Sequence, residues 1–146
     1  MGLTSCLLRH HKRCDDLFAD AEGACADGDW EAGSRLFLAM DAEIERHFKG
    51  EEEILFPAFE AATGMRFGPT EVMRDEHRQM RALLAAMKQA QERQDGDAFG
   101  GHADTLLVMM QQHNMKEENI LYPMCDRALD ENALGESLQA SLHPVA

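Results

Sequence analysis

Two eleven-residue stretches each place a glutamate four positions after a histidine: His47-Phe-Lys-Gly-Glu51-Glu-Glu-Ile-Leu-Phe-Pro57 and His113-Asn-Met-Lys-Glu117-Glu-Asn-Ile-Leu-Tyr-Pro123. Both read H-x-x-x-E-E-x-I-L-[FY]-P. On a helix, four residues turn the chain by about 400° and raise it about 6 Å, so each pair lies on one face. A neutral imidazole beside a carboxylate is a mixed N/O donor set for a first-row metal. Two such pairs on two helices are two half-cages.

The elements that must hold these pairs are readable from punctuation and period. Breaks at Asp27-Gly28-Asp29, residues 63–69 and Asp95-Gly96-Asp97 divide the chain into segments of about 3–27, 29–61, 69–94 and 97–129, with a short amphipathic tail after Asp130. Apolar positions recur at steps of three and four. They are Leu7, His11, Cys14, Phe18, Ala21 and Cys25 in the first segment, and Phe37, Met40, Ile44, His47, Glu51 and Leu55 in the second. The third has Met73, His77, Met80, Leu84 and Met87, and the fourth Phe99, His102, Leu106, Met109, His113, Glu117, Ile120 and Met124. Such stripes are helical, and no segment alternates as a strand would. The expected fold is all-α: an up-down-up-down four-helix bundle with a short C-terminal helical tail, one domain over residues 1–146. Asp29 suits an N-cap and Pro69 a first helical turn. Pro57 and Pro123 should kink or end their helices just beyond the paired residues.

Bulk properties narrow the function. A net charge of −13 argues against nucleic acid and anionic membrane as partners. No apolar run reaches spanning length. Leu3-Thr-Ser-Cys6 resembles the end of a lipoprotein signal without its upstream regions, and Cys6 stands where a myristoylation signal needs Ser or Thr, so the expected compartment is the cytoplasm. Cys6, Cys14, Cys25 and Cys125 show no C-x-x-C spacing and suit reduced, packed thiols. No serine-protease-like constellation, phosphate loop or dinucleotide fingerprint appears in a fitting context, so any catalysis should run through a metal.

Each stripe is apolar except for a histidine near its middle, and two stripes add a glutamate one turn on. One such histidine is most simply a hydrogen-bonded core residue. Four together with two carboxylates are very costly to bury unless a cation offsets the charge.

The doubled H-x-x-x-E, the first-helix histidine and the E-H of the third helix resemble the hemerythrin-like, or HHE cation-binding, domain over residues from about 7 to 127. The resemblance implies a four-helix bundle around a non-haem di-iron centre with bridging carboxylates and an oxo or hydroxo bridge, with manganese or zinc as substitutes. Carried over by position, it implies His11, His47, Glu51, His77, His113 and Glu117 as metal ligands, with Glu51 and Glu117 bridging. His10 competes with His11. Counting from His11 reaches Cys14 and Phe18, while counting from His10 reaches the charged Arg13, so periodicity favours His11. Glu118 competes with Glu117, which lies on the stripe and mirrors Glu51. Met73 stands where the oxygen carriers of the family have a fifth histidine, and a thioether suits packing better than iron. His102 could line an access path, His143 and the Glu52-Glu53 run read as solvated.

The implied function is binding of, sensing of or reaction with O2, NO or a peroxide at an open iron position, in roles such as stress response. A different class is iron storage or donation, including iron–sulfur cluster repair, with labile iron. A ferritin-like oxidase is disfavoured because no histidine follows a glutamate by three residues. A metal-free interaction bundle is the remaining alternative.

Overall fold

The computed structural model describes residues 2–143. Its elements are α1 (Ser5–Ala26), α2 (Trp30–Gly50), α3 (Phe56–Thr63), α4 (Pro69–Glu92), α5 (Gly96–Lys116), α6 (Tyr122–Ala128) and α7 (Glu131–Leu142). Two π-turns, Glu51–Leu55 and Glu117–Leu121, join α2 to α3 and α5 to α6, so each pair forms one long interrupted arm. No strand occurs among the described residues, and none of their helices is long and apolar enough to cross a membrane.

The ends of the arms follow local chemistry. Asp29 accepts from the Ala32 N–H at 3.2 Å, Asp95 from Ala98 at 3.1 Å and Asp130 from Asn132 at 2.9 Å, each satisfying a donor that the first helical turn leaves free. Gly28 and Gly64 take φ of 76° and 74° where α1 and α3 stop, a region side-chain-bearing residues rarely enter. These short reversals produce the up-down-up-down course. α1 packs on α2, α2 on α4, α4 on α5 and α5 back on α1, while α7 lies across α2, the first π-turn and α1.

The interior has two apolar layers. One holds Phe18, Phe37, Met40, Met87, Phe99 and Leu106 among others, and the second holds Leu7, Leu55, Phe56, Phe59, Met73 and Leu138. The stripe histidines and glutamates lie between them. The expected stripes of α1, α2 and α4 are buried throughout. That of α5 is not. Its buried face runs through Phe99, Ala103, Leu106, Met110 and His113, so Ala103 and Met110 replace the expected His102 and Met109. Beyond Glu117 the expected Ile120 is 56% exposed, whereas Leu121 is 1% exposed and Tyr122 and Cys125 are buried.

Leu121 matches Leu55 four residues after its glutamate, and the π-turn bears on the face that follows. Phe56 N–H bonds to Glu51 C=O and Tyr122 N–H to Glu117 C=O, five residues back instead of four. Each widened turn absorbs one extra residue and moves the downstream face by one position. Proline supplies a reason for the widening, because its ring clashes with the carbonyl four residues earlier and it has no N–H to give. The arms therefore neither end nor break at Pro57 and Pro123, as expected from the prolines alone. They change pitch upstream, at the glutamates. The Glu52 carbonyl, which loses its α-helical donor and faces no N–H on Pro57, accepts from Arg74 Nη2 at 3.5 Å.

Candidate metal centre

All six expected site residues converge in the layer between the two apolar cores. α1 brings His11, α2 His47, α4 His77 and α5 His113, while the π-turns open on Glu51 and Glu117. Each is at most 5% exposed, and Glu51, His77 and Glu117 are at 0%. Donor atoms of Glu51, His77, His113 and Glu117 lie within 4.8 Å of one another, as do those of His11, His47 and Glu117. A first-row metal bonded at about 2.0–2.2 Å holds neighbouring donors about 3–4 Å apart, so both groups are at coordination scale.

Both carboxylates face both groups. Glu51 turns Oε2 to His47 Nε2 at 3.6 Å and Oε1 to His77 Nε2 at 3.1 Å. Glu117 Oε1 lies 3.1 Å from His11 Nε2 and 3.4 Å from His113 Nε2. Glu51 thus presents one oxygen to each group, whereas Glu117 presents the same oxygen to both and leaves Oε2 without a partner. The donor set also passes a test of fit: Glu51 Oε1, Glu117 Oε2, His77 Nε2 and His113 Nε2 are buried without a hydrogen-bond partner. His77 Nε2 and Glu51 Oε1 approach closely, yet without hydrogen-bond geometry. Orphaned buried polar atoms cost about 1–3 kcal/mol each, and a cation among them removes that cost.

The outer nitrogen of every ring is also held. His11 Nδ1 meets Glu118 Oε2 at 2.7 Å, His77 Nδ1 meets Glu52 Oε2 at 2.6 Å and His113 Nδ1 meets Glu76 Oε1 at 2.7 Å. A carboxylate only accepts, so these Nδ1 atoms carry the hydrogens and donate. His47 Nδ1 faces His10 Nδ1 at 2.9 Å, and His10 Nε2 donates to Glu43 Oε2 at 2.6 Å. With the hydrogen of neutral His10 committed to Glu43, its Nδ1 accepts from His47. In the neutral rings all four Nε2 lone pairs then point inward. Carboxylate–imidazole pairs of this kind fix tautomer and orientation at metal sites.

Electrostatics agree with a site that wants positive charge. Burial pushes His47 down to about 3, keeping it neutral. Burial also disfavours charge on His113, but the Glu117 carboxylate outweighs it and raises the ring to about 9. Burial together with the adjacent Glu51 charge holds Glu117 above the usual carboxylate range. Without a metal, protons stand in for the cation.

Several contributors were not expected. His10 does not face Glu117, and it supports His47 from behind. Glu118 likewise orients His11, while Glu117 is the inward residue. Glu52 was read as solvated, yet it binds His77 and Arg81, the latter at 2.8 Å, and only Glu53 of that run is exposed and unengaged. The repeat's E-E pair carries that signal: its first residue turns inward and its second takes a histidine from a neighbouring helix. The exposed His143 ring stands 5.8 Å from His10, edge-on. Met73 packs in the apolar layer with Leu55, Phe56 and Phe59. Tyr122, the chain's one tyrosine, puts its hydroxyl 2.5 Å from Glu51 Oε2.

A cavity of about 20 Å³ adjoins the site, lined by His11, His47 and His113 together with Cys14, Ile44, Phe48, Met80, Met110 and Asn114. A water needs about 10–15 Å³ on this measure, so the space admits a molecule of one or two heavy atoms. A family model, the hemerythrin HHE cation binding domain, matches residues 3–125. No curated protein and no solved structure matches the chain.

Proposed function

We propose, on the premise that the chain belongs to the hemerythrin HHE cation-binding family, that it is a non-haem di-iron protein for a small ligand such as O2, NO or a peroxide. Its metal-binding character is common to the family. The finer reading assigns His11, His47, Glu51, His77, His113 and Glu117 as ligands of two irons, with the two glutamates shared between them. Mixed imidazole and carboxylate donors suit iron, and manganese or zinc could take the same set. Bound iron would supply reversible ligand binding or electron exchange with the ligand.

The observation that carries the small-ligand reading is the cavity against three of the four histidines. Apart from the three histidines and Asn114 its lining is apolar and its volume is small, so selection would rest on size. The residues around the centre exclude bulk water, and the outer carboxylates hold each imidazole with its lone pair inward. A labile store or iron–sulfur repair donor would gain from an exposed, loosely held site, and the complete burial of Glu51, His77 and Glu117 favours retention instead. Four free, buried cysteines accord with a reducing cytoplasm.

The test is anaerobic loading with ferrous iron followed by exposure to O2, NO or hydrogen peroxide. The expected outcome is a ligand-dependent change in the visible spectrum with both irons kept through gel filtration. No spectral change with any of the three would refute the small-ligand reading, and ready loss of iron to a mild chelator would favour the donor.

A further inference from the structure

The two arms repeat each other through histidine, both glutamates and proline, and among the inward positions where they differ is one directly after the π-turn: Phe56 in the first arm is Tyr122 in the second. Each follows its π-turn directly, so each is swung over the glutamate five residues back. Phe56 stacks near His77 at a centroid distance of 5.9 Å and brings no polar atom. Tyr122 brings a hydroxyl that is surrounded. Its oxygen lies 2.5 Å from Glu51 Oε2, 3.1 Å from Glu117 Oε1, 3.2 Å from His47 Nε2 and 3.3 Å from His11 Nε2.

Three of those atoms belong to the donor group of His11, His47 and Glu117, the fourth is the Glu51 oxygen turned toward it, and the hydroxyl sits among them. The other half keeps the orphaned atoms Glu51 Oε1, Glu117 Oε2, His77 Nε2 and His113 Nε2. A phenol has one proton, which it gives to Glu51, and the remaining three neighbours are acceptors once the rings are in the tautomers their outer partners impose. Four acceptors around one hydroxyl are more than it can satisfy. A cation placed there satisfies all of them and the phenol oxygen as well.

We infer that Tyr122 is a metal ligand of the His11/His47 half, binding ferric iron as phenolate and making the two irons of the centre chemically unequal. This rests on the di-iron reading above. On binding, the O–H bond of Tyr122 breaks, an oxygen–iron bond forms, and the proton leaves to solvent, one per chain beyond those displaced from imidazoles. Positive charge of the metal favours the anionic oxygen, as it does for bound thiols and water. Hard ferric iron gains more from a phenolate than ferrous iron does, so the His11/His47 half holds the more easily oxidised iron.

The repeat itself supplies the conservative variant, since Phe56 shows that phenylalanine fits this position of an arm. Wild type and Y122F are loaded anaerobically with ferrous iron and then oxidised with O2, which takes up the electrons. Iron per chain, visible absorption and resonance Raman excited within the visible band are then recorded. The expected result is two irons in wild type, with a phenolate-to-ferric band and tyrosine ring modes in its Raman spectrum, both absent from Y122F. Two irons in wild type without ring modes would overturn the inference and leave the di-iron reading standing, as would a band of equal intensity in Y122F. Failure of wild type to hold iron would remove both. The Raman spectrum of wild type decides the question even if Y122F does not fold.

Discussion

Changing Glu52 to glutamine keeps the side chain's shape and removes one charge from behind His77. Glu52 Oε2 accepts from His77 Nδ1 at 2.6 Å and from Arg81 at 2.8 Å, and its pKa, despite partial burial, is lowered to about 2 by those two donors. A glutamine can offer its oxygen to His77 only by turning its amide donors toward Arg81. His77 would then lose either its orientation or the charge that makes its Nε2 basic. Outer-sphere losses of this kind typically cost about 10–100-fold in metal affinity, which is about 1.4–2.7 kcal/mol. The effect should fall on one metal of two, because His11 and His47 are oriented by Glu118 and His10 instead. Arg81 stays held by Glu45 at 3.0 Å, so the fold should survive. Anaerobic competition against a chelator of known affinity would read this as a biphasic curve, with one equivalent weakened and the other unchanged. Glu53→Gln, one residue on and exposed, is the control and should match wild type. Equal behaviour of the two variants, or equal weakening of both metals, would refute the reasoning.

The π-turn register makes a stability prediction. Leu121→Ala should cost about 2–5 kcal/mol as a buried leucine truncation, while Ile120→Ala should stay within about 0.5 kcal/mol as a surface change, both read from urea melts; the reverse order would contradict the burial of Leu121 and the exposure of Ile120. A pH dependence follows from the metal-free charges. His113 is raised from 6.5 to about 9, so its contribution is complete below pH 6.5 and is lost as pH rises through about 9. Glu52 is lowered from 4.5 to about 2, so its contribution holds above pH 4.5 and is lost as pH falls toward about 2. The denaturation midpoint of metal-free protein should therefore fall on both sides of neutrality, and metal loading should abolish the alkaline limb; a flat midpoint from pH 6.5 to 9 would contradict the assignment.

Much of the fold was legible because its signals are local. Stripe period, Asp-Gly breaks and capping aspartates act within a turn or two, and the four long segments and the tail follow from them. The convergence of His11, His47, His77 and His113 was legible for the same reason, since one such histidine interrupts each apolar stripe. What escaped was non-local. The roles of Glu118 and Glu76 depend on which helices become neighbours, and the sequence writes no neighbour. His10 looked like a competitor of His11, yet it lies one residue around the helix and meets His47 from behind. The exposure of Ile120 was missed because a step of three was taken from Glu117, where the step of four that joins Glu51 to Leu55 in the first arm has its counterpart at the buried Leu121. Tyr122 was visible only as a permitted variation in the repeat, though it was the position at which the repeat mattered most.

The central claim is that two glutamates and four histidines, supplied by four helices and the two π-turns, hold two metals. Metal analysis of anaerobically loaded wild type beside the double variant Glu51→Gln/Glu117→Gln, after gel filtration, tests it most directly. Two irons per chain in wild type and fewer than one in the double variant, with both proteins helical by circular dichroism, is the predicted result. Equal metal content in the two proteins, or none in either, would contradict it.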